Sequence, residues 1–307
     1  MSVFTQILSM VVAALASGGA VHSPAMASPA ATSTPASSLQ APTAETAALP
    51  AAFLGMSGAL RAEIGTSEAL AADPDLGPWA RGLPIAEPGV YRLPLTAPDG
   101  DSLAVISLLP FADRAAGGYR LGSWPTDHLA ATDSRYARPA GFITVTPENE
   151  FTRVSKHFRL ADFVTHDQAA VWPKMLVLRP ALIDKLELVS QELAREGLPN
   201  QLHVMSGFRS PQYNALGVGP GKGRARDSRH MYGDAADVFV DADGNGVMDD
   251  LDHDGRVTRA DARVLFAAAE RVEHEHPELV GGLSAYAATP SHGPFVHVDV
   301  RGTRARW

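Results

Sequence analysis

The chain has 307 residues, enough for one large or two modest domains, and is 45% hydrophobic and 20% charged, as in an ordinary soluble globular protein. Its net charge of −8, from 26 basic and 34 acidic residues, and the lack of a basic stripe argue against a nucleic-acid partner. The sequence has no cysteine, which excludes disulfides, thiolate zinc ligands and a cysteine nucleophile.

Residues 1–27 have the features of a secretory signal peptide. ILSMVVAALASGGAV is apolar and rich in small residues, and AMA at residues 25–27 is an A-x-A-like cleavage site. No lysine or arginine precedes Arg61, which departs from that pattern, so an Ala-rich tail without a targeting role is the alternative. Gly18 and Gly19 interrupt the apolar run short of the ~20 residues of a membrane helix. We expect a secreted or periplasmic protein without a stable membrane span.

The rest of the chain divides into three segments by composition. Residues 28–50 are rich in Ala, Pro, Ser and Thr and predict a disordered linker. Residues 51–150 predict a β-rich accessory region, because runs such as GVYRLPL, SLAVISLLPF and GFITVT are separated by turn residues. This region is either a separate module or packs on the domain that follows, and its sequence names no ligand. Residues 151–307 form that last domain.

The last domain mixes helical and strand patterns. LRPALIDKLELVSQELAREG has leucines at helical spacing, with Gly197 at the expected C-cap, and VTRADARVLFAAAERVEHEH is a second amphipathic helix. QLHVMSGFRSP, ADVFVD and GPFVHVDVRG read as short strands. The sequence therefore predicts an α+β fold with a small, mixed domain whose strands pair antiparallel.

Three residues of this domain suggest a metal site. Asp237 stands at the start of an apolar strand, where a buried carboxylate needs a compensating partner. In FVHVDV, alternation places Phe295, His297 and Asp299 on one face and the valines on the other. A lone histidine such as His230 is more often a structural residue. Together, however, His230, Asp237 and His297 would form a set with one open position, which suits a catalytic zinc ion that holds a water molecule.

Three motifs carry a resemblance to a known family. SRHMYGDAAD resembles the SxHxxGxAxD signature of zinc D-alanyl-D-alanine peptidases of the VanY-type murein peptidase family, FVHVDV resembles its second-histidine strand, and SGFRSPQYNA resembles its SGYRSP segment. The resemblance covers about residues 155–307 and implies a zinc-peptidase domain with His230, Asp237 and His297 as zinc ligands. It implies that Arg209 contacts a carboxylate or carbonyl group of the substrate. A structural ion pair is the alternative for Arg209.

The general base does not follow from the resemblance. Many members of that family have Glu or Asp three residues before the second zinc-binding histidine, but this chain has Pro294 there, which cannot accept a proton. His292 and Asp299 are the nearest substitutes, and Asp299 could equally orient His297. The end of the sequence, RGTRARW, resembles the end of some branches of the family, so Pro294 does not by itself imply an inactive protein.

The Asp-rich insert at residues 241–261 has the spacing of two overlapping calcium loops. Calcium takes six to eight oxygen ligands, and its loop needs a glycine at position 6, where Gly246 and Gly255 stand. Both loops end in Asp rather than Glu, which should weaken binding, and a solvated acidic loop is the alternative. A structural calcium ion would hold the zinc site rigid. The predicted ligands are Asp241, Asp243, Asn245, the Val247 carbonyl, Asp249 and Asp252, then Asp250, Asp252, Asp254, the Arg256 carbonyl, Thr258 and Asp261.

These observations predict an exported zinc-dependent peptidase that hydrolyses peptidoglycan stem peptides, as a D-Ala-D-Ala carboxypeptidase or a murein endopeptidase. Arg209 would position the substrate, and Asp299 or His292 would handle the proton. The alternative is a catalytically inactive module of the same fold that bears a metal and binds cell wall or a protein, which Pro294 favours. A purely calcium-stabilised structural protein would leave His230 and His297 unexplained. The sequence gives no oligomeric state.

Overall fold

Helices and short strands alternate along the part of the chain that the computed structural model describes, which is residues 51–76, 82–96, 102–115, 118–127 and 136–307. The predicted signal peptide and linker lie outside these residues, so both stay predictions. Within the described ranges, no helix combines the length and apolar character needed to cross a bilayer.

The strands of the described residues are β1 (Glu63–Gly65), β2 (Gly89–Thr96), β3 (Ser102–Ser107), β4 (Leu109–Pro110), β5 (Gly141–Val145), β6 (Lys174–Leu176), β7 (Leu202–Ser206), β8 (Ala235–Val240), β9 (Gly282–Tyr286), β10 (Phe295–Asp299) and β11 (Ala305–Arg306). The α-helices are α1 (Ser67–Ala72), α2 (Leu160–Phe163), α3 (Pro180–Arg195), α4 (Pro211–Leu216) and α5 (Arg259–Glu275). Short 3₁₀ helices span Ala51–Phe53, Phe111–Asp113, Pro125–Asp127, Arg229–Tyr232 and Pro277–Leu279.

The strands form three sheets, with the orders β1-β3-β2, β4-β5-β6 and β11-β9-β10-β8-β7. In the five-stranded sheet, β7, β8, β10 and β9 pair antiparallel in turn, and β11 adds to β9 as a parallel edge strand. The predicted α+β fold with an antiparallel sheet is therefore confirmed.

Helix α3 follows its sequence signals closely. It begins at Pro180, where the missing N–H costs nothing because the first turn of a helix has no partner for it. Leu186, Val189 and Leu193 are fully buried, and the helix packs against α5. Gly197 ends the helix with a left-handed φ of 73°, and its N–H donates to the Ala194 carbonyl at 3.0 Å.

The β-rich region upstream shares its core with the last domain. Ile106 and Trp124 belong to the same cluster of buried side chains as Val238 and Val296. The indole Nε1 of Trp124 donates to the carbonyl of Met231 at 2.8 Å, inside the signature segment. Of the two arrangements that the sequence left open, these contacts favour packing on the following domain. The boundary near residue 150 stays a prediction.

A buried lysine joins the helices to the end of β10. Lys185 of α3 is fully buried, and its Nζ donates to Glu273 Oε1 at 2.6 Å and to the carbonyls of Leu279 at 3.0 Å and Asp299 at 2.7 Å. Burial lowers the pKa of Lys185, and the facing Glu273 carboxylate partly opposes that fall. Glu273 also pairs with Arg306. All three protons of the ammonium group are thus used, and the backbone of Asp299 is fixed.

We expect Lys185→Met to lower the free energy of unfolding by about 3–5 kcal/mol, because the variant removes the fully buried cation that pairs with Oε1 of the Glu273 carboxylate. Urea denaturation followed by circular dichroism measures the change. Lys156→Met is the matched control, since Lys156 is exposed, and a surface substitution of this kind changes stability by less than about 0.5 kcal/mol. Equal denaturation midpoints for the two variants would contradict the role of the buried pair.

Candidate metal centre

His230 lies in the 3₁₀ helix Arg229–Tyr232, just before β8. Its Nδ1 is 2.7 Å from the carbonyl oxygen of Gly207, and because a carbonyl only accepts, Nδ1 carries the proton. The lone pair of the neutral ring is therefore on Nε2. Gly207 has no room for a side chain, since a Cβ there would collide with the backbone of Phe163. The carbonyl that orients His230 is thus held tightly in place.

The turn after His230 explains the glycine of the signature segment. Gly233 has a left-handed φ of 66°, and a Cβ there would collide with the backbone of Val177. The next residue, Asp234, is fully buried and forms a salt bridge with Arg229. This local pair compensates the buried carboxylate and closes the turn that delivers the chain into β8.

Asp237 and His297 face each other across two antiparallel strands. The register of the sheet pairs His297 of β10 directly with Asp237 of β8. The neighbours Val296 and Val298 are fully buried members of the hydrophobic core. Because side chains alternate along a strand, His297 points to the opposite face from the valines. The predicted alternation in FVHVDV is what brings His297 to Asp237.

The three predicted zinc ligands converge. His230 Nε2 lies 3.3 Å from His297 Nδ1 and 3.3 Å from Asp237 Oδ1, and His297 Nδ1 lies 3.0 Å from the same oxygen. Ligands about 2.0–2.1 Å from a tetrahedral zinc ion are separated from one another by about 3.3 Å. The spacing of these donor atoms therefore fits a tetrahedral ion.

The charges of the cluster also favour a cation. Burial raises the pKa of Asp237, but His230, His297 and Arg209 outweigh that effect and hold the pKa well below the ordinary value, so Asp237 is ionised. Burial lowers the pKa of His230. Burial also lowers the pKa of His297, whereas hydrogen bonds to Asp237 and Asp299 raise it, with a net rise. The centre of the cluster thus attracts positive charge, from a proton or from a metal ion.

Asp299 lies behind His297, on the side away from the cluster. Its Oδ2 accepts a hydrogen bond from His297 Nε2 at 3.1 Å. The unprotonated Nδ1 of His297 therefore faces His230 and Asp237, the other two predicted metal ligands. Oδ1 accepts from the N–H of Gly282 at 2.7 Å, and Arg301 forms a salt bridge with the same carboxylate. Burial raises the pKa of Asp299, but hydrogen bonds from His297 and Arg301 outweigh it and lower the pKa well below the ordinary value. This geometry favours the orienting role that the sequence left open for Asp299 over the role of general base.

Arg209 contacts a predicted ligand. Its guanidinium forms a salt bridge with Oδ2 of Asp237, and its Nε donates to Ser206 Oγ at 2.9 Å. Asp237 Oδ1 is thereby left to face the histidines. Arg209 also lines the cleft above the cluster, so the ion-pair reading and the substrate-contact reading of this residue are compatible.

The second candidate base, His292, lies at the rim of the site. It is half-buried, lines the cleft, and its Nδ1 is 2.8 Å from the Gly293 carbonyl, which leaves Nε2 as its acceptor. Pro294 is buried. The carboxylates of the described residues that line the cleft belong to Asp227 and Asp237. The strand that carries His297 therefore brings no carboxylate of its own into the cleft.

The cluster lines a cleft of about 1010 Å³, together with aromatic and basic side chains. Aromatic rings line one part, where Tyr286 and Phe295 stack with their centroids 4.6 Å apart. The indole of Trp307 donates to the Tyr286 hydroxyl at 2.6 Å, and its ring lies 5.3 Å from that of His297. Basic side chains from the segment 222–226 line another part.

The predicted calcium residues form two small acidic clusters. Carboxylate oxygens of Asp241, Asp243 and Asp249 lie within 4.8 Å of one another, and so do those of Asp250, Asp252 and Asp254. Asp252, which the sequence assigned to both loops, groups with the second. The side chain of Asn245 accepts from the N–H of Val247 at 2.7 Å. In the second loop, the side chain of Asp254 accepts from the N–H of Arg256 at 2.8 Å.

The two loops repeat one backbone pattern nine residues apart. Asp241 accepts from the N–H groups of the residues four and five positions later, at 3.0 Å each, and Asp250 does the same at 3.2 and 2.8 Å. His253 has a left-handed φ of 60° at the place that Gly244 holds in the first loop. Asp261 differs, because it is fully buried in the first turn of α5, where its two oxygens accept from three backbone N–H groups, those of Leu251, Asp252 and Thr258.

Several residues of the site did not follow from the sequence reasoning. Arg301 follows Asp299 by two residues, so the strand alternation that placed His297 and Asp299 together also carried a signal for it. Trp307 and Lys185 carried no such signal, because their contacts with the site depend on packing between distant parts of the chain.

Comparison with known protein families gives a match for part of the chain. Residues 159–247 match a peptidase M15 family model, described as peptidoglycan L,D-endopeptidase MepK. The match includes Arg209, His230 and Asp237 and ends before His297, so it spans 89 residues (159 to 247 inclusive) of the 307. No curated protein matches the chain. The matched segment confirms the resemblance, since the M15 zinc peptidases include the VanY-type enzymes, and residues 159–247 are similar to that family.

Proposed function

We propose that the protein is an exported zinc-dependent peptidase that hydrolyses peptidoglycan stem peptides. The convergence of His230, Asp237 and His297 below an open cleft is the observation that carries this proposal. The family match supports it, because the matched model is described as a peptidoglycan endopeptidase. Export rests on the features of residues 1–27 alone.

The residues around the cluster have distinct tasks in this proposal. When bound, zinc would lower the pKa of a water molecule to about 7 and polarise a carbonyl group. The Gly207 carbonyl and Asp299 hold the two imidazoles in the tautomers that offer lone pairs. Arg209 holds Asp237 and presents part of its guanidinium to the cleft. His292 is the candidate for proton transfer, because it lines the cleft and Asp299 faces away from it.

The reaction that we favour is cleavage within a cross-link. The description of the matched family model names an L,D-endopeptidase, whereas the sequence motifs alone left a D-Ala-D-Ala carboxypeptidase equally open. An endopeptidase must accept peptide on both sides of the scissile bond, and the large, open cleft suits such a substrate.

A second candidate function is a metal-bearing module that binds cell wall without cleaving it. Pro294 favours this reading, because no carboxylate stands on β10 ahead of His297. The complete set of predicted zinc ligands and the cleft around it favour the enzyme.

Muropeptide profiling by mass spectrometry separates the two candidates. We expect purified sacculi incubated with the zinc-loaded protein to lose cross-linked dimers and gain monomers. The His230→Ala variant and chelated protein should leave the profile unchanged, and zinc should restore the chelated sample. Loss of a terminal alanine would instead indicate a carboxypeptidase. An unchanged profile with zinc-loaded protein, together with co-sedimentation on sacculi, would favour the binding module.

We expect Asp299→Asn to weaken zinc binding about 10–100-fold, because an amide no longer holds the His297 tautomer as an ionised carboxylate does. Competition with a chromogenic zinc chelator measures the dissociation constant, and circular dichroism checks that the variant is folded. Asp113→Asn is the control, since Asp113 is exposed and far from β10 in the sequence. Equal zinc affinities for the two variants would show that Asp299 does not support the ligand.

Calcium binding by the loops at residues 241–261 stays our prediction from the sequence, and the family match gives no support to it. We expect isothermal titration to detect calcium uptake that is lost in the double variant Asp241→Asn, Asp250→Asn, because these carboxylates occupy position 1 of the two loops. The Asp113→Asn protein should bind as wild type does. A titration of the wild-type protein without binding heat, and without a calcium-dependent rise in Tm, would refute the prediction.

A further inference from the structure

The cleft above the metal cluster has a basic wall that its own carboxylates do not neutralise. Lys222, Arg224 and Arg226 line it from one segment, and Asp227 adds a single negative charge. Three cations less one carboxylate leave this wall with a net charge of +2. The net charge of the whole chain is −8, so the local excess of positive charge opposes the overall balance.

The guanidinium groups deeper in the cleft are already paired. Arg209 forms a salt bridge with Asp237, and Arg301 forms one with Asp299. Their charges serve to hold the cluster together, so a substrate anion would have to compete with buried carboxylates for them.

Among the described residues, the side chains of the basic wall are not tied up in salt bridges with the carboxylates of the metal cluster. Lys222 donates to the Leu216 carbonyl at 3.1 Å. Arg224 donates to the Tyr213 carbonyl at 2.6 Å, and its guanidinium lies over the Tyr213 ring. The side chain of Arg226 is exposed and has no ion pair or hydrogen bond within the part of the chain that the structure describes. None of these described residues accepts from the five N–H donors of Arg226, which lines the cleft.

The backbone that presents Arg226 is nevertheless well fixed. The side chain of Asn214, which is 1% exposed, donates from Nδ2 to the carbonyls of Ala225 at 3.0 Å and Arg226 at 3.4 Å. The N–H of Arg224 donates to the Gly217 carbonyl at 3.0 Å. Since these contacts hold the segment without a ligand, binding an anion costs little backbone ordering. The wall and His230, four residues after Arg226, line the same cleft.

We propose that Arg226, assisted by Lys222 and Arg224, selects peptide substrates that carry a free carboxylate outside the scissile bond. A guanidinium binds a carboxylate through two parallel N–H···O bonds, which a carboxamide cannot reproduce because half of it is a donor. The inference rests on the proposed peptidase function and names the feature of the stem peptide that the cleft recognises. Arg226 is a specificity-determining residue in this proposal and takes no part in bond cleavage.

The test compares two stem peptides of the same sequence, one with free carboxylates and one with those groups converted to carboxamides. For the full-length, zinc-loaded protein we expect kcat/KM to be about tenfold higher for the acidic peptide, the usual order for one charge-assisted contact. Arg226→Gln should remove this preference by slowing cleavage of the acidic peptide alone. Arg263→Gln is the matched control, because Arg263 is exposed on α5 and does not line the cleft.

Equilibrium binding of the same two peptides to chelated protein separates this inference from the proposed activity. A binding preference for the acidic peptide that Arg226→Gln abolishes supports the role of Arg226, even where no peptide is cleaved and the peptidase proposal fails. Equal binding and equal cleavage of the two peptides by wild type overturns the inference and leaves the peptidase intact. A loss of the same size for both peptides in Arg226→Gln also overturns it, because a structural role would have that effect.

Discussion

The contact between His297 and Asp237 across two buried strands is the constraint on which the site depends. A slip of one residue in the pairing of β8 and β10 would turn His297 to the opposite face, into the valine-rich core. Contacts of Asp299, at the end of β10, stabilise this register. Arg301 and His297 hold the Asp299 side chain, and Lys185 holds its backbone carbonyl. The helix layer thus fixes the position of a candidate metal ligand through one buried ammonium group.

Charge compensation divides the site into two zones. In the interior, three carboxylates near the cluster each form a salt bridge with a different arginine. The pairs are Asp234 and Arg229, Asp237 and Arg209, and Asp299 and Arg301. Uncompensated carboxylates could not remain ionised there. At the mouth of the cleft water screens the charges, so the wall at residues 222–226 keeps an excess of positive charge at little cost. The interior pairs build the site, and the outer cations are available to a ligand.

The acidic insert shows how the same residue type serves two purposes. The aspartates at positions 1 and 3 of each loop accept backbone N–H groups of their own loop, and their carboxylates lie close to one another. Asp261 is buried and caps helix α5. The insert therefore ends in a firmly anchored helix, and the first turn of that helix ties the second loop to the domain.

The sequence alone determined what local patterns encode. Helical spacing and Gly197 predicted α3, alternation in FVHVDV placed His297 and Asp299 on one face, and the signature motifs predicted the family whose model matches residues 159–247. The tertiary structure decided the roles that depend on distant contacts. It placed Asp299 behind His297, joined Lys185 to a carbonyl 114 positions away, and separated the paired arginines from Arg226. Periodicity fixes which face a side chain occupies, but its partner depends on which elements pack there, and residues far apart in the chain decide that.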